Sequence, residues 1–441
     1  MKARILAAAL AAAFPLGALA TDGYFSHGYG MQAKGMGGAA TAVAESAFGA
    51  ATNPATMAFV GNRWELGVDL FSPWRKSTRS ESPPQANLNG TSDSGSNYFG
   101  IPEFAYNRML SPELSLGLTV YGNGGMNTDY GGGEIAGQSA CALFNPGVAS
   151  YNMLCGAGKL GVDLTQLIVA PSMAWKMAPD HAIGIAPLFA YQRFRAEGLQ
   201  AFDNPGFSAS PGNVTNQGYD NSTGWGVRVG YYGKLSPEFA IGAAYATKMS
   251  MSEFDKYKGL FAENGGFDIP SNWSLGFTYQ PAGPWMFTAE YQRINYSDAK
   301  SVSNPSALAL GCMVGAREQC LGGSNGAGFG WQDVDVFKLG MQYQYRPGLV
   351  LRAGYNYSQN PIRPEDVTFN ILAPGVVQHH ITAGATWMLD PASSVTMAFM
   401  YAFNNDVQGA SFFNNFAPGL AMREKIEMSQ YSIGVQYAHR Y

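Results

Sequence analysis

The stretch YSIGVQYAHRY at 431–441 puts Tyr431, Ile433, Val435, Tyr437, His439 and Tyr441 on one side of an extended chain. Ser432, Gly434, Gln436, Ala438 and Arg440 fall on the other. Successive side chains of a strand point to opposite faces, so this is a strand with an aromatic-rich apolar face and a face of glycine and small or polar groups. The same period recurs in Trp273-Leu275-Phe277-Tyr279 against Ser274-Gly276-Thr278-Gln280. It recurs again in Phe337-Leu339-Met341-Tyr343-Tyr345 against Lys338-Gly340-Gln342-Gln344, and in Val395-Met397-Phe399-Tyr401-Phe403 against Thr396-Ala398-Met400-Ala402. A sandwich in water also alternates. Here, however, the apolar face often ends in aromatics while the opposite face stays small and polar. A strand with lipid on one side, a polar lumen on the other and aromatic girdles at both interfaces has that pattern.

Working outward, the period predicts fourteen strands, starting near residues 63, 97, 113, 162, 181, 223, 238, 271, 284, 331, 348, 376, 393 and 426. Their links sort by parity. LSPEL (110–114), MAPDH (177–181), LSPEF (235–239), QPAGPW (280–285), YRPGL (345–349) and LDPAS (389–393) are short and all contain proline, which suits tight turns. The intervening links, such as 122–161 and 298–330, are long and polar. The fold class is therefore all-β: a transmembrane antiparallel barrel at 63–441, closed because an open sheet edge in lipid would leave backbone groups unpaired. An even strand number puts both barrel ends on the short-turn side, expected to be the periplasm.

Composition agrees. Charged residues make up 13% of the 441, about half the usual ~25%, while 24 Tyr and 26 Phe are present. A net charge of −4 offers no basic field for nucleic acid. A disordered chain would need lower hydrophobicity and higher net charge. Only one long apolar run exists, too few for a bundle of membrane helices. That run, Ile5 to Leu16, follows Lys2 and Arg4 and precedes Ala18-Leu19-Ala20, so residues 1–20 read as a signal peptide. An exported chain favours disulfides. Cys141, Cys155, Cys312 and Cys320 allow three connectivities, and the two local pairings are expected. A zinc site lacks C-x-x-C spacing, and no metal or cofactor is expected. Residues 21–62 do not alternate. Too short to fold alone, they are expected to fill the lumen as a plug.

That segment carries Gly28-Tyr29-Gly30, Gly37-Gly38-Ala39 and, just before the first strand, Asn53-Pro54-Ala55. The pattern, in this place and architecture, resembles the FadL/TodX family of outer-membrane transport proteins. The resemblance implies a passive channel for hydrophobic molecules, set among the outer membrane lipids of a Gram-negative bacterium; long-chain fatty acids are the first expectation and monoaromatic hydrocarbons the alternative. It implies that 21–62 is a hatch with Asn53, Pro54 and Ala55 as its motif, and that Tyr24 and Phe25 help line a pocket. It also implies a lateral exit where the third strand kinks. A single-chain, monomeric channel is expected.

Gly122, Gly124 and Gly125 are candidates for that kink, or alternatively mark the start of the long loop. An oily solute needs an apolar site within a polar barrel; Met286, Met400 and Met428 share lumen parity and either line it or pack against the plug. For a carboxylate ligand, Arg228, Lys248, Lys338 and Arg352 are the inward cations, with Arg228 and Arg352 leading because of the planar guanidinium. Glu65, Asp69 and Glu290 share the lumen, so structural ion pairs are the other reading. No G-x-S-x-G, HExxH or P-loop motif is present, and His380 lacks a serine partner, so no enzyme is expected. A surface adhesin acting through its loops, and a general porin, are the other classes.

Overall fold

The computed structural model describes residues 22–416 and 419–441; the expected leader at 1–20 lies outside them. Fourteen strands form one closed antiparallel barrel. They are β1 (Arg63–Ser80), β2 (Phe99–Met109), β3 (Leu114–Tyr130), β4 (Leu160–Ala178), β5 (His181–Glu197), β6 (Asp220–Lys234) and β7 (Phe239–Ala246), then β8 (Asn272–Tyr279), β9 (Trp285–Ile294), β10 (Val334–Arg346), β11 (Leu349–Ser358), β12 (His379–Met388), β13 (Ser393–Ala410) and β14 (Arg423–Arg440). Each pairs with the next in sequence, and β14 closes on β1 from Arg63↔Arg440 to Ser80↔Arg423. Every expected strand is present, starting within three residues of its expected position. The six proline turns lie at one end and the long loops at the other.

Outward positions carry the apolar face: Leu66, Val68 and Leu70 on β1, Phe337, Leu339 and Met341 on β10, and Ile433 and Val435 on β14 are all exposed. In water so continuous an apolar surface would drive aggregation; hydrocarbon around the barrel removes that cost. Disulfides Cys141–Cys155 and Cys312–Cys320 close the loops at 131–159 and 295–333, the local pairings expected. Phe144, Phe202, Phe207, Phe369, Phe412 and Phe413 pack ring against ring across four loops, so the long-loop end is itself a packed apolar layer.

The inward glycines find their reason in residues 22–62, which run against the inner wall. A Cβ on Gly184 would collide with Pro54 and Ala55, one on Gly230 with the Asn53 side chain, one on Gly242 with Thr41, and one on Gly354 with Met36 and Gly37. These wall positions face each other across strands, as in Gly184↔Gly230, Gly242↔Gly276 and Gly340↔Gly354. The small-residue face of the strands is thus the footprint of a backbone that passes too close for any side chain.

Candidate functional site

The N-terminal segment is bonded to the wall along its length. Met31 N donates to Gln436 Oε1 at 2.7 Å and Gly37 N to Thr382 Oγ1 at 2.8 Å. Ala40 N and Thr41 N both reach Glu290 Oε2, at 2.9 and 2.8 Å. Asn53 anchors the far end. Its Oδ1 accepts from Ala55 N at 3.1 Å, capping the 3-10 turn Pro54–Phe59. Its Nδ2 donates to Thr41 O and to the strand carbonyl of Tyr231, both at 2.8 Å. Pro54 fits the first position of the turn, where no backbone donor is needed, and Ala55 fits beneath Gly184. The Asn-Pro-Ala motif therefore works as a clamp between segment and wall.

The inward cations serve the same attachment. Lys338 Nζ lies 3.0 Å from Glu290 Oε1, and Arg352 lies 3.6 Å from Glu45 of the segment while donating to Thr386 at 2.5 Å. Arg228 donates to the Ala51 carbonyl and, at 3.2 Å, to Tyr121 Oη. Lys34 joins from the segment side, 2.7 Å from Asp69. Buried ions need such partners, and deleting one leaves its mate stranded at a cost of about 3–5 kcal/mol. Lys248 is a correction: β7 ends at Ala246, so the wall no longer dictates its direction, and it is exposed and paired with Asp268 at 2.7 Å. Met400 packs in the buried core. Met286 borders a cavity of about 240 Å³ at the short-turn end, and Met428 lines a small void beside Tyr24.

That void adjoins an opening in the wall. β2 and β3 pair only from Met109↔Ser115 to Phe104↔Val120. Beyond that point β2 stays with β1 and β3 stays with β4, leaving a slot. β3 steps its register between Gly122 and Gly124 and then runs on to Tyr130, so the glycines form a bulge inside a strand rather than the start of a loop. The segment's first residues fill the slot. Phe25 bridges to Gly124, Ser26 N donates to Asn123 O at 3.0 Å, and Gly125 N donates to Tyr24 O at 3.2 Å.

Tyr296, from the loop at 295–333, fastens this strand-like piece. Its hydroxyl accepts from Tyr24 N at 3.1 Å and donates to Asp22 O at 2.5 Å. Its ring lies against Gly23, where φ is +69° and a side chain would meet the phenol. Tyr24 sits among Tyr296, Trp331 and Phe267, with ring centroids 5.3, 5.9 and 6.2 Å away. The void beside it is lined by Tyr24, Phe71, Met126, Trp331, Met428 and Arg75. Across Asn127 lies an outer recess of about 610 Å³ that includes Tyr98, Phe99, Leu167 and Tyr191. Towards the long loops a third, apolar void is bounded by residues that include Val162, Phe194, Phe202, Phe329 and Leu372.

Arg75 is a buried residue at the slot that sequence reasoning missed. It lies an even number of residues from Glu65 and Asp69 on β1, so parity alone would have turned it inward. Its guanidinium donates to the carbonyls of Ser96 and Asn127, on either side of the slot. Among the described residues no carboxylate pairs with it, and its buried Nε has no hydrogen-bond partner.

Asp22 adds a pH dependence. Burial pushes its carboxyl from 3.8 up to about 6, against the opposing pull of Lys338 and the Asn356 amide. A group whose docked value is raised stabilises docking fully below its free value and loses that contribution as pH climbs through the docked value. Docking of residues 22–26 should therefore weaken between about pH 4 and 6, and Asp22→Asn should abolish that part of the profile. Hydrogen exchange at Tyr24–Ser26 across this range checks it; identical profiles for both proteins would refute it.

Residues 148–441 match the family model described as outer membrane protein transport protein (OMPP1/FadL/TodX). No match to a curated protein is found. Among solved structures, the Pseudomonas putida toluene transporter TodX is 20% identical, covering 94% of this chain and 99% of its own, with a TM-score of 0.63. The Ralstonia pickettii toluene transporter TbuX is 17% identical over 94% and 99%, TM-score 0.62. A Pseudomonas aeruginosa FadL homologue is 13% identical over 95% and 99%, TM-score 0.65. At these identities the likeness is one of fold.

Proposed function

We propose, since the chain belongs to the OMPP1/FadL/TodX family of outer membrane transport proteins, that it admits small apolar molecules, single-ring hydrocarbons foremost, across the outer membrane of a Gram-negative cell. The observation that carries this reading is the small void at Tyr24: its lining is mostly apolar, with Phe71, Met126, Trp331 and Met428 beside Tyr24 and Arg75 as its charged side chain, while Arg228, Lys338 and Arg352 are all engaged by the segment or the wall. Solute enters among the long loops, which face outward, and both chain ends face the periplasm. Residues 22–62 act as the hatch that blocks a straight aqueous path. The solute reaches Tyr24, displaces residues 24–26 from β3, and leaves through the slot into the outer recess. No step needs an energy source, because an apolar solute gains favourable burial at each site and moves down its gradient. The toluene transporters TodX and TbuX, which share the fold, lend this reading support.

Long-chain fatty acids are the second reading, and Arg75 favours them: a carboxylate could take the unpartnered Nε. Uptake of labelled toluene and labelled oleate separates the two, in cells stripped of other hydrophobic channels and carrying either the intact protein or Arg75→Gln. Toluene uptake that depends on the protein and survives the substitution is expected. Oleate uptake that falls about tenfold in Arg75→Gln would transfer the assignment to fatty acids. Entry of neither solute through a correctly inserted barrel would overturn the channel reading.

A further inference from the structure

The void among the long loops and the void at Tyr24 are separated by a partition built from two loop segments, 329–331 and 372–375. Phe329 and Leu372 face the loop-side void, whereas Trp331, Ala373 and Gly375 face the Tyr24 side. One hydrogen-bonded side chain holds the segments together. Trp331 Nε1 donates to Asn370 Oδ1 at 2.6 Å, and Asn370 Nδ2 donates to Phe329 O at 2.7 Å and Asp366 O at 2.8 Å. The indole then reaches Gly375, where an added Cβ would lie 3.0 Å from Trp331 Cη2. On its other side the same ring packs on Tyr296, with centroids 5.1 Å apart, and on Tyr24. Trp331 is fully buried, and its edge-on contact with Tyr296 belongs to the same residue that fastens the hatch.

From this geometry we infer that Trp331 is an internal gate and sets the cross-section of the solutes that pass. The inference rests on the channel reading above. A solute in the loop-side void reaches Tyr24 by swinging the indole off Asn370 and Gly375. The aperture so freed has the cross-section of one indole. Single-ring hydrocarbons and unbranched chains fit it, and fused three-ring hydrocarbons do not. Because the indole leans on Tyr24 and Tyr296, its displacement also loosens the contacts that hold residues 22–26 in the slot. Arrival of solute above is thereby coupled to opening of the exit. Asn370 is a positioning residue in this scheme: it presents the indole and touches no solute.

The test compares uptake of labelled toluene and labelled phenanthrene by the intact protein, Trp331→Ala, Trp331→Phe and Asn370→Ala. Trp331→Ala should raise phenanthrene uptake at least tenfold and raise the phenanthrene-to-toluene ratio well above that of the intact protein. Trp331→Phe should keep most of the rejection. Asn370→Ala, which frees the indole without removing it, should raise both rates and narrow the ratio between them. A phenanthrene-to-toluene ratio in Trp331→Ala equal to that of the intact, inserted protein would overturn the gate and leave the channel reading standing. Tryptophan fluorescence of purified protein supplies a readout independent of transport. Adding toluene should shift the emission of the intact protein, and the shift should be absent in Trp331→Phe. Toluene that fails to enter cells would count against the channel reading. The gate would still be judged by the spectrum: a Trp331-dependent shift upholds it, and equal responses in both proteins overturn it.

Discussion

Asn53→Ala should release the hatch from the wall without harming the barrel. The side chain is wholly buried and uses both amide protons and its oxygen: on Thr41 O, on Tyr231 O and from Ala55 N. Alanine removes all three bonds and leaves two buried carbonyls and one N–H unpaired, each costing about 1–3 kcal/mol. The sum is on the order of 3–9 kcal/mol, and a difference of 1.4 kcal/mol is about tenfold in an equilibrium. Relaxation cannot recover the loss, since Gly230 beneath the amide has no side chain to move into the gap. Amide exchange across 22–62 should accelerate at least about a hundredfold while β10 to β14 keep their protection. Planar bilayers should show a steady conductance that the intact protein lacks. Unaltered exchange in the hatch would mean that the motif does not clamp it.

The second large effect is expected from Gly242→Val. An added Cβ there would overlap Thr41 O, and one on Gly276 of the neighbouring strand would lie 2.8 Å from Ala42 N. Backbone flanked by the wall on one side and by its own bonds to Glu290 on the other has nowhere to retreat. Valine is a good strand residue, so the barrel should still form. The hatch is what loses its seat. Ala243→Val, one residue along and facing lipid, is the control and should behave like the unaltered protein. Limited proteolysis of 22–62 in detergent reads the difference. Equal resistance in Gly242→Val and in Ala243→Val would contradict the role assigned to the wall glycines.

The range over which a rule acts decides whether a feature is legible in the sequence. Strand number, turn ends and inward or outward facing follow from a two-residue period and from proline, which act over neighbouring residues, and YSIGVQYAHRY already shows the facing of its strand. The local disulfides followed from spacing. The inward cations were found by the same parity, and ion pairing with wall or plug was one of their two readings; which partner each takes, Glu290 for Lys338 and Glu45 for Arg352, is fixed only once strands and hatch are brought into register. Lys248 went astray for a related reason: parity has no authority beyond the last paired residue of a strand. Trp331 lay in a loop with no period to read, and Arg75 stood among charges that looked alike on paper.

The sequence by itself determined a closed fourteen-stranded barrel with an apolar exterior and small inward residues, because burial in lipid constrains each strand locally and independently. Only the tertiary structure decided that the wall glycines trace the path of residues 22–62. The same holds for the slot beside β3 that Tyr24 to Ser26 fill, and for Trp331 between two voids. Each depends on the distance between segments far apart in the chain. Such distances are set by how the hatch and loops pack once the barrel has closed around them.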